Sequence, residues 1–282
     1  MNYRHIYHAG NFADVFKHAV LVRIIEYLKR KDAAFRVIDT HAGAGLYELS
    51  SGAATKTGEW RLGAGRLIDN AMPQQAAHLL EPYISIVKTW IENGRLTAYP
   101  GSPLLARHLL RQQDRISMCE LHEADQQTLA GHFAGDWQAR VMQLDGWLVP
   151  GAHLPPKEKR GLVLIDPPFE AEGEFERLVQ ALQKGVQRWH GGIFMLWYPL
   201  KNNEAVAAFI EALRQSGIDK LLRAELWVRS SHENAVLRGS GLIIRNPPFV
   251  LQEELETLLP VLTKLLAQDD GASWLIEMLA GE

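Results

Sequence analysis

Apolar residues in the first thirty positions recur at helical spacing. Phe12, Val15, Phe16, Ala19, Val20, Ile24, Tyr27 and Leu28 form the stripe, which runs to a basic end at Lys29, Arg30 and Lys31. Asn11 is placed to cap this helix, with Asp14 three residues on as a weaker form of the capping box. Beyond it the pattern changes to short continuous apolar runs closed by polar or turn residues, at 35–39, 116–121, 140–144, 161–165 and 192–197. Such runs fit strands covered on both faces, hence a parallel sheet under helices. Helical stretches around 104–111, 124–133 and 174–188 separate most of them, so the alternation reads as a doubly wound α/β sheet. Two more runs, 223–229 and 241–245, lie close enough to pair antiparallel, for seven strands in all.

The interval 46–98 breaks that rhythm. A polar, Gly-containing loop leads into an amphipathic stretch near 74–91, which we read as a helical insertion after the first strand. The expected organisation is therefore an N-terminal motif, first helix and first strand (1–45), a helical insertion subdomain (46–98) and the remainder of one α/β domain (99–282). Residues 250–282 are expected to supply one or two covering helices around Pro260. A chain of 282 residues has room for one large domain of this kind.

Composition narrows the class. With 47% apolar and 22% charged residues the chain is an ordinary globular one, neither disordered nor collagen-like. Its longest uncharged apolar stretch, near 191–200, is about half of the roughly 20 residues a membrane span needs. The single cysteine, Cys119, fits a reducing compartment, and the expected location is the cytoplasm. Thirty bases against 33 acids give a net charge of −3, which argues against a general polyanion binder. The first 31 residues nevertheless hold Arg4, Lys17, Arg23, Lys29, Arg30 and Lys31 against two acids, a candidate basic lip for nucleic acid.

Candidate chemistry gathers at the ends of the expected strands. The first strand ends in Asp39 and is followed by Gly43 and Gly45, a turn where backbone can approach a ligand closely. Glu120 closes the next strand and is placed to accept ribose hydroxyls, and Asp145-Gly146 closes the one after. The strand 161–165 runs into Asp166-Pro167-Pro168-Phe169. Two prolines make a rigid exit that fixes two acceptors, the Asp166 carboxylate and the Pro167 carbonyl, beside the flat face of Phe169. Two acceptors and a ring suit a planar base with an exocyclic amine. Hydrogen bonds from that amine to the acceptors favour the pyramidal form whose lone pair can attack a methyl group. The chain contains its own control, Asn246-Pro247-Pro248-Phe249, and we choose Asp166 because it ends a central strand in series with the other acids. Lys17 and His18 fall early in the first helix, where a cation is placed to hold a cofactor carboxylate. His5-x-x-His8 has no cysteine or carboxylate partner at matching spacing, so no metal is expected. Ser102, after Pro100-Gly101, is as well suited to capping a helix as to touching a ligand.

At these residues the chain resembles a known family. YRHIYHAGNFADVFKH, DTHAGAG, YPGSP, ELH, DG, LIDPPF and WYP, in that order, are similar to the bacterial 23S rRNA adenine-N6 methyltransferases of the ribosomal large-subunit methyltransferase J type. The resemblance spans nearly the whole chain. It implies a Rossmann-like fold with a mostly parallel sheet and a helical insertion, and S-adenosylmethionine as cofactor. It implies cofactor contacts at His18, His41, Ser102, Glu120, Asp145, Gly146 and Asp166, with Asp166 catalytic and Tyr3 near the target base, beside Pro167 and Phe169. Phe169 stands where the family often has tyrosine, which keeps stacking and drops any phenolic hydroxyl. The expected partner is naked or early-precursor 23S rRNA, met by a monomer without membrane or metal. The tetrapeptide alone leaves methylation of DNA adenine or cytosine open. A nucleotide-dependent oxidoreductase using Gly43, Gly45 and Glu120 would leave Asp166–Phe169 without a purpose, and net acidity counts against a non-catalytic rRNA-binding assembly protein.

Overall fold

In the computed structural model, which describes residues 5–230 and 237–281, the stripe from Phe12 becomes helix α1 (Phe12–Lys29). Asn11 Oδ1 accepts the Ala13 and Asp14 amides as expected, whereas Asp14 reaches back to the Gly10 amide, one residue earlier than a capping box requires. The chain then enters β1 (Arg36–Asp39). Next come β2 (Leu46–Glu48), α2 (Gly52–Thr57), α3 (Ala64–Asp69) and α4 (Gln74–Lys88). A small hairpin of β3 (Ile91–Glu92) and β4 (Arg95–Leu96) precedes β5 (Ala98–Pro100), and β5 pairs antiparallel with β2 to close the excursion.

The regular alternation follows: α5 (Ser102–Leu109), β6 (Arg115–Glu120), α6 (Glu123–His132) and β7 (Ala139–Gln143). Then come the short α7 (Val149–Ala152), β8 (Gly161–Ile165), α8 (Glu174–Arg188) and β9 (Ile193–Leu200). The chain finishes with α9 (Asn203–Gln215), β10 (Leu221–Trp227), β11 (Gly239–Arg245), α10 (Leu251–Leu266) and β12 (Ser273–Ala280).

One sheet organises these elements, in the order β12-β10-β11-β9-β8-β1-β6-β7. The five strands from β9 to β7 are parallel, and β11 joins antiparallel between β9 and β10. The chain winds from β1 outward through β6 and β7, then restarts at β8 on the other side of β1. The crevice outside the ends of β1 and β8 is thus the topological switch point, where open α/β sheets take their ligands. β8 shows why its run is continuously apolar. Leu162 and Leu164 enter the core under α1, α4, α5 and α10, while Val163 and Ile165 enter the one under α8 and α9.

The sheet has eight strands, not the expected seven. The C-terminal part forms a single helix, α10, with Pro260 inside it, and then returns as β12 along the outer edge of β10. SWLIEMLA is short and apolar enough to fit either period, and the open edge of β10 decides it. Edge position also explains its half-exposed burial, with Trp274 and Met278 on the surface.

The basic lip does not form one surface. Lys17 is buried between carboxylates, and Arg23 makes a two-pronged ion pair with Glu254 at 2.8 and 2.9 Å. Lys29–Lys31 lie at the far end of α1, about 27 Å from Phe12 at the rise of an 18-residue helix. Arg4 lies outside the described residues.

Candidate active site

At the C-terminal edge of the parallel strands lies a cavity of about 1130 Å³. Small-ligand pockets run to roughly 1,000 Å³, so this one has room for a nucleoside cofactor and a second base. Its wall brings together His18, His41, Ser102, Glu120, Asp145, Gly146, Asp166, Pro167 and Phe169. Tyr3 lies outside the described residues.

Each polar group is held by the strand end that supplies it. Glu120 accepts the Gly43 amide on Oε2 at 2.8 Å and the His122 amide on Oε1 at 2.7 Å. That fixes its carboxylate while leaving further lone pairs for a ligand's hydroxyls. Gly43 has φ +62°, and a Cβ there would meet the Tyr47 hydroxyl at 2.2 Å, so this turn requires glycine. Asp145 Oδ1 accepts the Trp147 amide at 3.0 Å, with Arg177 at 3.9 Å from its other oxygen. A Cβ on Gly146 would lie 1.9 Å from the Thr40 carbonyl, which makes this the tightest backbone approach in the cavity floor. A floor of glycine backbone with acceptor carboxylates at two strand ends fits the hydroxyl-rich, amine-bearing nucleoside of S-adenosylmethionine.

Asp39 lies one layer deeper, behind Ser102. The Ser102 hydroxyl donates to Asp39 Oδ2 at 2.6 Å, and the α5 cap falls to Gly101, so Ser102 is not the side-chain cap of α5. Asp39 is 1% exposed, and burial pushes its carboxyl up to about 7 against the pull of the Ser102 hydrogen bond.

The Asp166 side has one partner that the sequence did not assign. Lys17 Nζ lies 2.5 Å from Asp166 Oδ2 and 2.9 Å from Asp14 Oδ1, under the ring of Trp197. Burial works against the Lys17 charge, but the two carboxylates outweigh it and hold the ammonium protonated well above its usual range. Lys17 is therefore committed to Asp166 and Asp14, and the cation expected to hold a cofactor carboxylate is already paired. Asp14 Oδ2 takes His5 at 2.9 Å. Burial alone would raise the Asp14 carboxyl, and His5, Lys17 and His18 hold it well below its usual value instead. His5 and His8 turn to different carboxylates, Asp14 and Glu59. From the sequence Asp14 reads only as part of a helix start. The available signal was its spacing from Lys17, one turn on, in a helix whose first turns face the strand ends.

Phe169 stands between Phe175 and Trp197, with ring centroids at 4.9 and 5.7 Å in edge-to-face contacts. Its φ of +53° is unusual for a bulky residue and marks a backbone held by its surroundings. His41 is half-buried, its ring edge-on to Trp147 at 5.3 Å, and desolvation pushes its pKa down to about 4.

Comparison with known proteins agrees with this architecture. The family model described as "Ribosomal RNA large subunit methyltransferase D, RlmJ" matches residues 32–278. The chain is 40% identical to the Ribosomal RNA large subunit methyltransferase J of Haemophilus influenzae over 284 residues, covering all of both chains. It is 42% identical to the Escherichia coli protein of that name over 281 residues, 98% of this chain and 99% of the other. The crystal structure of protein LPL1258 from Legionella pneumophila superposes with a TM-score of 0.87 at 34% identity, over 96% of this chain and 98% of that one. This chain belongs to the ribosomal RNA large subunit methyltransferase J family.

Proposed function

We propose that the protein transfers a methyl group from S-adenosylmethionine to the N6 amine of an adenine in 23S rRNA. The observation that carries the reading is Asp166-Pro167 held rigidly at the switch point beside Phe169, with Lys17 fixing the carboxylate from behind. When bound, S-adenosylmethionine supplies a methyl carbon on a sulfonium, whose bond electrons return to sulfur on transfer. Glu120, Asp145 and the Gly43 and Gly146 backbone are the groups placed to hold its nucleoside, with His18, His41 and Ser102 completing the enclosure. On the other side, Phe169 offers the target base a stacking face. Asp166 Oδ and the Pro167 carbonyl accept the two amine protons, which orients the nitrogen lone pair and lets one proton leave as methylation completes. Tyr3, carried over from the family resemblance, is assigned to the same base.

The reading extends to an enzyme acting as a monomer in the cytoplasm on naked or early-precursor RNA. Its support is that, Tyr3 aside, a single chain supplies every group named above. Residues 46–98 are read as an insertion subdomain, in which α4 buttresses α1 behind the site.

The test is methyl transfer to unmodified 23S rRNA and to duplex DNA, with nucleoside analysis by mass spectrometry. N6-methyladenosine from the RNA alone, absent with Asp166→Ala, is the expected result. Methylated DNA with inert RNA would overturn the substrate, and a fully active, folded Asp166→Ala protein would overturn the catalytic assignment.

A further inference from the structure

Two histidines of the cavity wall, His18 and His41, make hydrogen bonds whose proton count can be settled atom by atom. His18 Nδ1 lies 2.7 Å from the Tyr99 hydroxyl, and that hydroxyl lies 2.6 Å from the hydroxyl of Tyr83. All three side chains are buried, His18 coming from α1, Tyr99 from β5 and Tyr83 from α4. Three atoms in a row need two protons between them, and there are two ways to supply these. In one, Tyr83 donates to Tyr99 and Tyr99 donates to a bare Nδ1. In the other, an Nδ1–H donates to Tyr99 and Tyr99 donates to Tyr83, whose own proton then has no acceptor among the described residues. Tyr83 does not border the cavity, so that proton would go unmade at a cost of about 1–3 kcal/mol, whereas the first direction leaves its spare proton on the ring of His18, which does border it; the first direction therefore holds. The His18 proton therefore sits on Nε2.

Among the described residues that Nε2–H has no partner of its own. Asp14 Oδ1 is 4.0 Å away, beyond hydrogen-bond reach, and already takes Lys17 at 2.9 Å. The ring borders the cavity, and burial pushes its pKa down to about 3, which keeps it neutral.

His41 works out the other way. Its Nδ1 is 2.8 Å from Thr40 Oγ1, and Thr40 Oγ1 is 2.9 Å from the Leu164 carbonyl. Two oxygens at that distance with no proton between them repel, so the Thr40 hydroxyl donates to Leu164. It can then only accept from His41, which places the His41 proton on Nδ1 and leaves Nε2 as a bare acceptor.

We infer that the cofactor site is built from two neutral histidines held in opposite tautomers, His18 as an Nε2–H donor and His41 as an Nε2 acceptor. Tyr99 and Tyr83 position the first and Thr40 the second. The ligand side of the inference rests on the methyltransferase reading. Glu120, Asp145 and the bare His41 nitrogen are all acceptors on the nucleoside side, beside Gly146 and Trp147. His18, beside Asp14 and Lys17, is the neutral donor near Asp166, and the one charged acceptor in S-adenosylmethionine is its carboxylate. The bulge of chain containing α4 thereby acquires a role in the chemistry, since its Tyr83 begins the proton chain.

Nitrogen-15 correlation spectra of histidine-labelled protein, without cofactor, read both tautomers directly. The expected spectrum has His18 protonated on Nε2 and His41 on Nδ1. Tyr99→Phe should mix the His18 tautomers and leave His41 untouched, with Thr40→Val doing the reverse. By calorimetry Tyr99→Phe should weaken S-adenosylmethionine binding about tenfold, as expected for one hydrogen bond to a charged group, and Tyr83→Phe less. At saturating cofactor kcat should stay at the wild-type value. Decarboxylated S-adenosylmethionine should bind wild type and Tyr99→Phe equally, a result that general loosening of the site would not give. A wild-type spectrum with His18 protonated on Nδ1, or an equal loss for the decarboxylated compound, overturns the inference while leaving the methyltransferase reading intact. Wild-type protein that takes up no S-adenosylmethionine at all overturns the cofactor reading and the acceptor named here with it.

Discussion

The chain writes nearly the same tetrapeptide twice, and the fold gives the two copies opposite fates. Asp166-Pro167-Pro168-Phe169 follows β8, a parallel strand beside the switch point, so it opens into the cavity. Asn246-Pro247-Pro248-Phe249 follows β11, which runs antiparallel to β9, and therefore leaves the sheet at the opposite edge. There the Asn246 side chain donates to the Gly191 carbonyl at 3.2 Å, its amide to the Lys220 carbonyl at 2.9 Å, and Phe249 is 81% exposed against the end of α1 at Tyr27. The backbones differ as well. The left-handed residue is the phenylalanine in the first copy (φ +53°) and the asparagine in the second (φ +54°), where asparagine tolerates it far better. A motif thus acquires chemistry from strand direction and from what stands behind it, here Lys17 and Asp14.

The largest effect that can break this comparison is on turnover. Asp166→Ala should lower kcat by about a thousandfold or more, as for loss of a group that orients the reacting atom, and should lower the melting temperature by only a few degrees, because Asp14 still holds the buried Lys17. Asn246→Ala should leave kcat at wild type and cost about 1 kcal/mol of stability by denaturant titration, from the left-handed backbone and the lost amide contact. A large kcat loss in the second variant would join the two edges functionally and defeat the distinction.

Next in size are the two rings. Phe169→Ala should reduce kcat/KM for RNA by about 10–100-fold, the scale of one base–aromatic stack, without changing cofactor affinity. Phe249→Ala should change neither activity nor stability beyond about 0.5 kcal/mol, since the ring is exposed.

The same contrast shows what the sequence could carry. The five parallel strands and the bounds of α8 were legible because apolar runs and a long amphipathic stripe are local signals. Strand direction is not local, but the choice of Asp166 over Asn246 followed from placing it in a series of central strands. β12 was not legible: its residues fit two periods, and only the free edge of β10, far away in sequence, selects one. Within the site, the glycine turn and the strand-end acids could be read because each sits on a strand end. The Lys17–Asp166 pair spans 149 residues, and no spacing rule reaches that far. Ser102 shows the limit from the other side, since its hydroxyl turns to Asp39 rather than capping the helix that its position suggested.

The smallest predicted effect concerns the carboxylate beneath the catalytic edge. Burial raises Asp39 to about 7, so the fold holds its proton more tightly than the unfolded chain does. Its contribution to stability is fully present below about pH 4 and is lost as pH rises through about 7. His18 and His41 oppose this. Their folded values, about 3 and about 4, make a contribution that is present above pH 6.5 and lost on acidification. A melting curve of the wild type alone would mix the two trends, but Asp39→Asn removes only the first. The gap in melting temperature, wild type minus variant, should therefore widen as pH falls from 8 to 5, by about 2–4 °C for each kcal/mol involved. A gap that narrows would mean that Asp39 is ionised in the fold, and the layer under the switch point would then carry a charge that the Ser102 hydroxyl and the His41 amide have to balance.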